Sequence, residues 1–243
     1  MAAARAFFLH GAKKPCAATI LLSVERVETE GRAGFRAGRL RFGPFRGMVF
    51  PGGERNVASA KTIRILTIPP VMAALEILVL RFAKGYFPGA AAIWTIFFLS
   101  ILPTLSYLVW WLVPALRRRG RKTQRPLAVA FSVLGYVLSV GYCFIKPLGS
   151  VERVACCTYL FSGLVIALCS AFHVKCSGHA SGMSGPIALL SLFVSPWFLL
   201  GYLLLIPVFW SSLRLNRHTP SELILGTVTP VAGILCMMML FPV

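Results

Sequence analysis

The sequence predicts an all-α fold, a polytopic membrane helical bundle of about six to seven transmembrane helices, and three observations carry that expectation. The 243 residues are 57% hydrophobic and 13% charged, where an ordinary soluble domain carries roughly 25% charged residues. The mean hydropathy is +0.78. From Ile65 onward, apolar runs near the roughly 20 residues that cross a bilayer alternate with short polar joints. Every backbone group must be satisfied internally in lipid, so closed helices are the form such runs take. A net charge of +18 would suit a nucleic-acid partner in a soluble protein. Here the charge lies beside long apolar runs, so the expected partner is the bilayer, and no nucleic acid.

Residues 1 to 62 differ from the rest. They hold 11 of the 25 basic residues and a Gly/Arg-rich run over 31–39, with no sustained apolar period. A disordered basic arm, an Arg-rich targeting peptide and residues preceding a start at Met48 all fit. Four Glu in the stretch weigh against a transit peptide, and a disordered extension without catalytic importance is the reading adopted. Residues 63–243 then form the membrane-embedded domain. Its first four crossings are expected at 65–82, 90–116, 126–145 and 154–172. The stretch 178–213 is too long for one span and carries Ser195–Pro196 near its middle, where a helix stops. It divides into a fifth crossing at 182–194, short unless its first turn is wet, and a sixth at 196–211; the seventh covers 220–241. Trp110–Trp111 fits an interfacial aromatic belt. Seven crossings put three polar joints, 117–125, 173–179 and 212–219, on one membrane face, and these hold three of the four histidines.

The acidic residues are almost a site list. All seven are Glu and none is Asp, which removes a paired-Asp dyad and an Asp-rich calcium loop. Beyond residue 62 only Glu76, Glu152 and Glu222 remain. Glu76, inside the first crossing, is a functional candidate because a charge in lipid is costly; pairing with Arg81 or protonation are its alternatives. The seven cysteines include no CxxC pair and no Cys/His zinc spacing, and read as small apolar residues. No metal and no cofactor are expected.

The three joints read Arg118-x6-Arg125-Pro126, then Cys176-Ser177-Gly178-His179, then Ser211-Ser212-x5-His218-x3-Glu222. This order and spacing resembles the tripartite signature of the type 2 phosphatidic acid phosphatase superfamily, the lipid phosphate phosphatases that share a site with vanadium haloperoxidases. That signature reads Lys-x6-Arg-Pro, Pro-Ser-Gly-His and Ser-Arg-x5-His-x3-Asp. Four positions depart from it: Arg118 stands for Lys, Cys176 for Pro, Ser212 for Arg and Glu222 for Asp. Arg118 and Glu222 keep their charges, and i to i+4 spacing on a helix would hold Glu222 against His218. Ser212 removes a cation from the phosphate, for which Arg214 or Arg217 are the substitutes at hand.

A phosphate monoester carries nearly two negative charges at neutral pH and so needs fixed cations and backbone donors. Arg118, Arg125, Ser177, Gly178, Arg214 and Arg217 are the candidates to bind it, with His173 and Lys175 as loop residues of the same face. The remaining charges of the 117–122 run serve as a positive-inside anchor. The resemblance implies that His218 attacks phosphorus, that Glu222 fixes its tautomer, and that His179 protonates the leaving alcohol and then activates water. The implied activity is hydrolysis of a phospholipid or polyprenyl phosphate by an integral membrane enzyme. A lipid phosphotransferase and a catalytically weakened, phospholipid-binding protein are the alternatives; a transporter lacks the expected repeat of broken helices. Lys and Arg counts near the helix ends favour the cytoplasmic side for the three joints.

Overall fold

The protein is an all-α bundle in its computed structural model, which describes residues 54–172 and 174–243. Residues 1–53 of the expected extension lie outside the described residues, as does His173. The chain is already helical at Glu54, inside the stretch assigned to the extension, and Ala60 is buried. Residues 54–62 therefore belong to the helical body.

Among the described residues ten α-helices follow one another: α1 (Glu54–Leu66), α2 (Pro69–Lys84), α3 (Ala91–Ile96), α4 (Leu102–Leu112), α5 (Pro114–Arg118), α6 (Arg121–Ile145), α7 (Ser150–Ala171), α8 (Gly178–Phe193), α9 (Leu205–Arg214) and α10 (Pro220–Leu240). A π-helical turn over Phe97–Ile101 joins α3 to α4, and a 3-10 segment over Pro196–Leu204 leads into α9. Prolines set most of the breaks. Pro69 and Pro70 open α2 after a 42° bend, because a residue before proline is driven out of the helical region. Pro114 ends the second crossing at Val113, short of the expected 116, for the same reason.

Among the described residues five helical stretches are long and apolar enough to cross a membrane: Ala91–Leu112, Lys122–Ile145, Ser150–Ala171, Pro196–Arg214 and Pro220–Leu240. The bent pair Ala58–Ile65 and Pro69–Lys84 makes a sixth if it counts as one span. The fifth expected crossing is α8, whose 16 residues reach only about 24 Å. All its residues from Ala180 to Leu190 are buried, so α8 is an inner helix walled by protein. The outer surface is apolar in turn: Phe82, Ile145, Trp197 and Met239 are each 78–84% exposed, as suits a multi-pass membrane protein facing lipid.

Helix α8 organises the bundle, packing on α2, α10, α7 and α9. It runs in the same direction as α10, since Ser177 N donates to the Glu222 carbonyl at 3.1 Å and Ser184 Oγ to the Thr227 carbonyl at 2.8 Å. The stretch Pro196–Arg214 brings the chain back, which carries Ser212 to the start of α8. Two glycines allow these approaches. A Cβ at Gly226 of α10 would overlap the Ser177 carbonyl, and one at Gly182 of α8 would overlap Pro69 at the α1–α2 bend.

Candidate active site

The start of α8, the turn between α9 and α10, the first turns of α6 and the end of α1 surround one cavity of about 850 Å³. Arg64, Arg125, Gly178, His179, Arg217 and His218 stand at its polar end, and it continues between helices past Pro69, Val129, Val133, Ile166 and Leu189. Members of all three polar joints thus meet in one place.

His218 is positioned from its own backbone neighbourhood. Asn216, with φ of 50°, takes the left-handed conformation that closes α9. Thr219 is extended (φ −86°, ψ 162°) ahead of Pro220 and caps α10, with Glu222 completing a capping box. Glu222 Oε2 accepts from Thr219 N at 3.3 Å and lies 2.9 Å from His218 Nδ1. One carboxylate oxygen therefore closes the helix end and holds the imidazole. The i to i+4 contact on a helical face, expected above, is replaced by this arrangement: His218 precedes the helix because Pro220 drives Thr219, the residue before it, into the extended region. A carboxylate only accepts, so Nδ1 carries the proton and the lone pair of Nε2 is left for other chemistry.

His179 is held from the other side. Arg64, in the last turn of α1, donates from Nη1 to Ser212 Oγ at 2.9 Å and sets Nη2 3.3 Å from His179 Nδ1. A guanidinium has no acceptor, which assigns the proton of the neutral His179 ring to Nε2. Burial, and then the Arg64 charge, pull His179 from 6.5 down to about 4; His218 adds to this and the Arg64 backbone partly offsets it. His218 is also lowered from 6.5, by burial first, against the opposing pull of Glu222 and with Arg64 and Arg125 adding to the decrease. Both rings are neutral at pH 7 in the empty site.

The remaining candidates divide. Arg125, Gly178 and Arg217 line the cavity, and a Cβ on Gly178 would meet nothing within 4 Å, so its backbone is open to a ligand. Ser177 does not line it. Its hydroxyl is fully buried as the N-cap of α8, accepting from Ala180 N at 3.4 Å. Arg118 is exposed at the end of α5 and outside the cavity lining, because Gly120, with φ of 60°, turns the chain between it and Arg125. Arg214 ends α9 outside the lining as well, and Lys175 is exposed. Glu76 accepts from Tyr159 Oη at 2.5 Å and does not use Arg81 as its partner. Among the described residues, no three His, Cys or Glu side chains cluster as metal ligands.

Arg64 is the site residue that the joints do not contain. The signal available was an arginine close to an apolar run and ahead of a Pro-Pro pair, too weak to place it beside residues 115 and 148 positions away. Comparison with family models, with curated proteins and with solved structures finds no match for this chain.

Proposed function

We propose that this membrane protein hydrolyses a lipid phosphate monoester through a phosphohistidine. The observation that carries the reading is a carboxylate-held histidine, His218, facing a second histidine and three arginines at the mouth of a cavity that continues between apolar helices. Arg125, Arg217 and the open backbone at Gly178 bind the phosphate, and the apolar length of the cavity takes the tail. The order of these groups in the chain is that of the lipid phosphate phosphatase signature which the sequence resembles, and three arginines at the cavity favour this reading over the weakened-site alternative raised by Ser212.

In the first step the Nε2 lone pair of His218 forms the N–P bond while the P–O bond to the lipid breaks, its electron pair leaving on the alkoxide oxygen. Glu222 holds the Nδ1 proton and stabilises the positive ring that results. The leaving oxygen takes a proton from His179. That ring becomes an imidazolium only with substrate present: the phosphate draws the Arg64 arm off Nδ1, which takes a proton from solvent, and the phosphate's negative charge offsets the burial and the Arg64 charge that keep the ring neutral in the empty site. In the second step His179 takes a proton from water as the water oxygen bonds to phosphorus. The N–P bond breaks, its pair returns to Nε2, and inorganic phosphate leaves.

Purified protein in detergent micelles, given a panel of phosphatidate, phosphatidylglycerophosphate and polyprenyl phosphates, is expected to release inorganic phosphate from at least one. Release that persists at the wild-type rate in both His218→Ala and His179→Ala would refute the assignment.

A further inference from the structure

Position 212 is where the resembled signature would put an arginine, and a serine stands there. Ser212 is fully buried in α9, and its hydroxyl accepts from the guanidinium of Arg64. The other arm of the same guanidinium reaches His179 Nδ1. We infer that Arg64 is a phosphate-binding cation of this site, brought in by α1 to the place that a side chain at position 212 would otherwise occupy. The inference rests on the phosphatase reading above and adds a residue to it.

Three features support the assignment independently of the signature. Arg64 lines the same cavity as Arg125, His179, Arg217 and His218, so an anion held between the two histidines lies next to it. Its charge acts on both imidazole rings, lowering each, which a guanidinium turned away from the site would not do. Its approach is also fixed by packing. Pro69 follows it across the bend and sits against Gly182, three residues beyond His179, where a Cβ would overlap the proline. The last turn of α1 is thereby held at the first turn of α8. A serine at 212 is what this arrangement requires, because its short hydroxyl both leaves room for Arg64 and anchors it. Arginine also suits the role better than lysine, since its planar fork can hold Ser212 or His179 and a phosphate oxygen in one geometry.

The test moves the cation. In full-length protein assayed on whichever lipid phosphate the wild type hydrolyses, Arg64→Ala is expected to lose about 10- to 100-fold in kcat/KM, the scale of one charge-assisted hydrogen bond. Adding Ser212→Arg to Arg64→Ala should restore at least about tenfold of that loss. Ser212→Arg alone should lower activity, since two guanidinium groups then compete for one space. Arg64→Gln keeps a donor for Ser212 and removes the charge, so it should keep the wild-type melting temperature while raising the inhibition constant of orthovanadate about tenfold or more. The assignment is overturned by any of three results with an active wild type: Arg64→Ala at wild-type kcat/KM, no recovery in the double variant, or a gain from Ser212→Arg alone. A wild type inactive on every lipid phosphate would instead remove the phosphatase reading, and this inference with it.

Discussion

At the scale of single residues, the site depends on which nitrogen of each histidine is occupied. In the proposed mechanism Glu222 fixes His218 in the tautomer that attacks phosphorus, so Glu222→Gln should lower turnover by roughly 100-fold or more while leaving the lipid's KM little changed, an effect on the transition state. Steady-state kinetics on the same substrate measures both. A second prediction concerns pH. His179 sits near 4 in the folded protein against 6.5 ordinarily, so between those values the unfolded chain binds a proton on this ring that the folded chain does not. Stability therefore falls as pH drops through that window. His179→Asn should show a smaller decrease in melting temperature between pH 7.5 and 4.5 than wild type does. The sequence placed the joints holding His179, His218, Arg125 and Arg217 on one membrane face, and these residues line one cavity, with Glu222 four positions from His218 and bonded to it. Ser177, expected on the phosphate, caps α8 outside the cavity lining, and the sequence does not separate the two roles because capping a helix and binding a phosphate draw on the same residue type. Arg64 could not be read, since only tertiary packing brings it to Ser212.

At the scale of elements, the glycines at helix crossings set the site. Gly226 lets α10 approach the N-cap of α8, and through the Ser177–Glu222 backbone bond it couples the carboxylate of one histidine to the helix that carries the other. Gly226→Val should force these helices apart and destabilise the fold by about 1–3 kcal/mol, the usual cost of overpacking; denaturation of the purified variant in detergent checks it. Glu76 makes a different tie. Its carboxylate accepts from Tyr159, a residue of the cavity wall, so α2 and α7 are joined behind the cavity. Tyr159→Phe would leave that buried oxygen without its donor and should destabilise by about 1–3 kcal/mol. The order of apolar runs and proline breaks made most helices predictable. The count differed at α8, whose largely apolar stretch from Ala180 to Leu190 meets protein where the pattern alone implied lipid. Hydropathy reports that a segment avoids water and does not distinguish the two.

At the scale of the whole molecule, a multi-pass membrane bundle holds a polar mouth against an apolar interior cavity. A water-soluble phosphate monoester would fill only the mouth, so a long-chain lipid phosphate should exceed a short-chain analogue in kcat/KM through a lower KM. The most direct measurement of the central claim is single-turnover phosphate release from a labelled lipid phosphate in detergent, with the protein quenched in alkali, where a histidine phosphoramidate survives. The account predicts labelled wild-type protein, no label in His218→Ala, and label that accumulates without leaving in His179→Ala when the substrate carries a good leaving group that needs no acid. Free phosphate appearing at the wild-type rate in His218→Ala, with no labelled protein in either form, would contradict it.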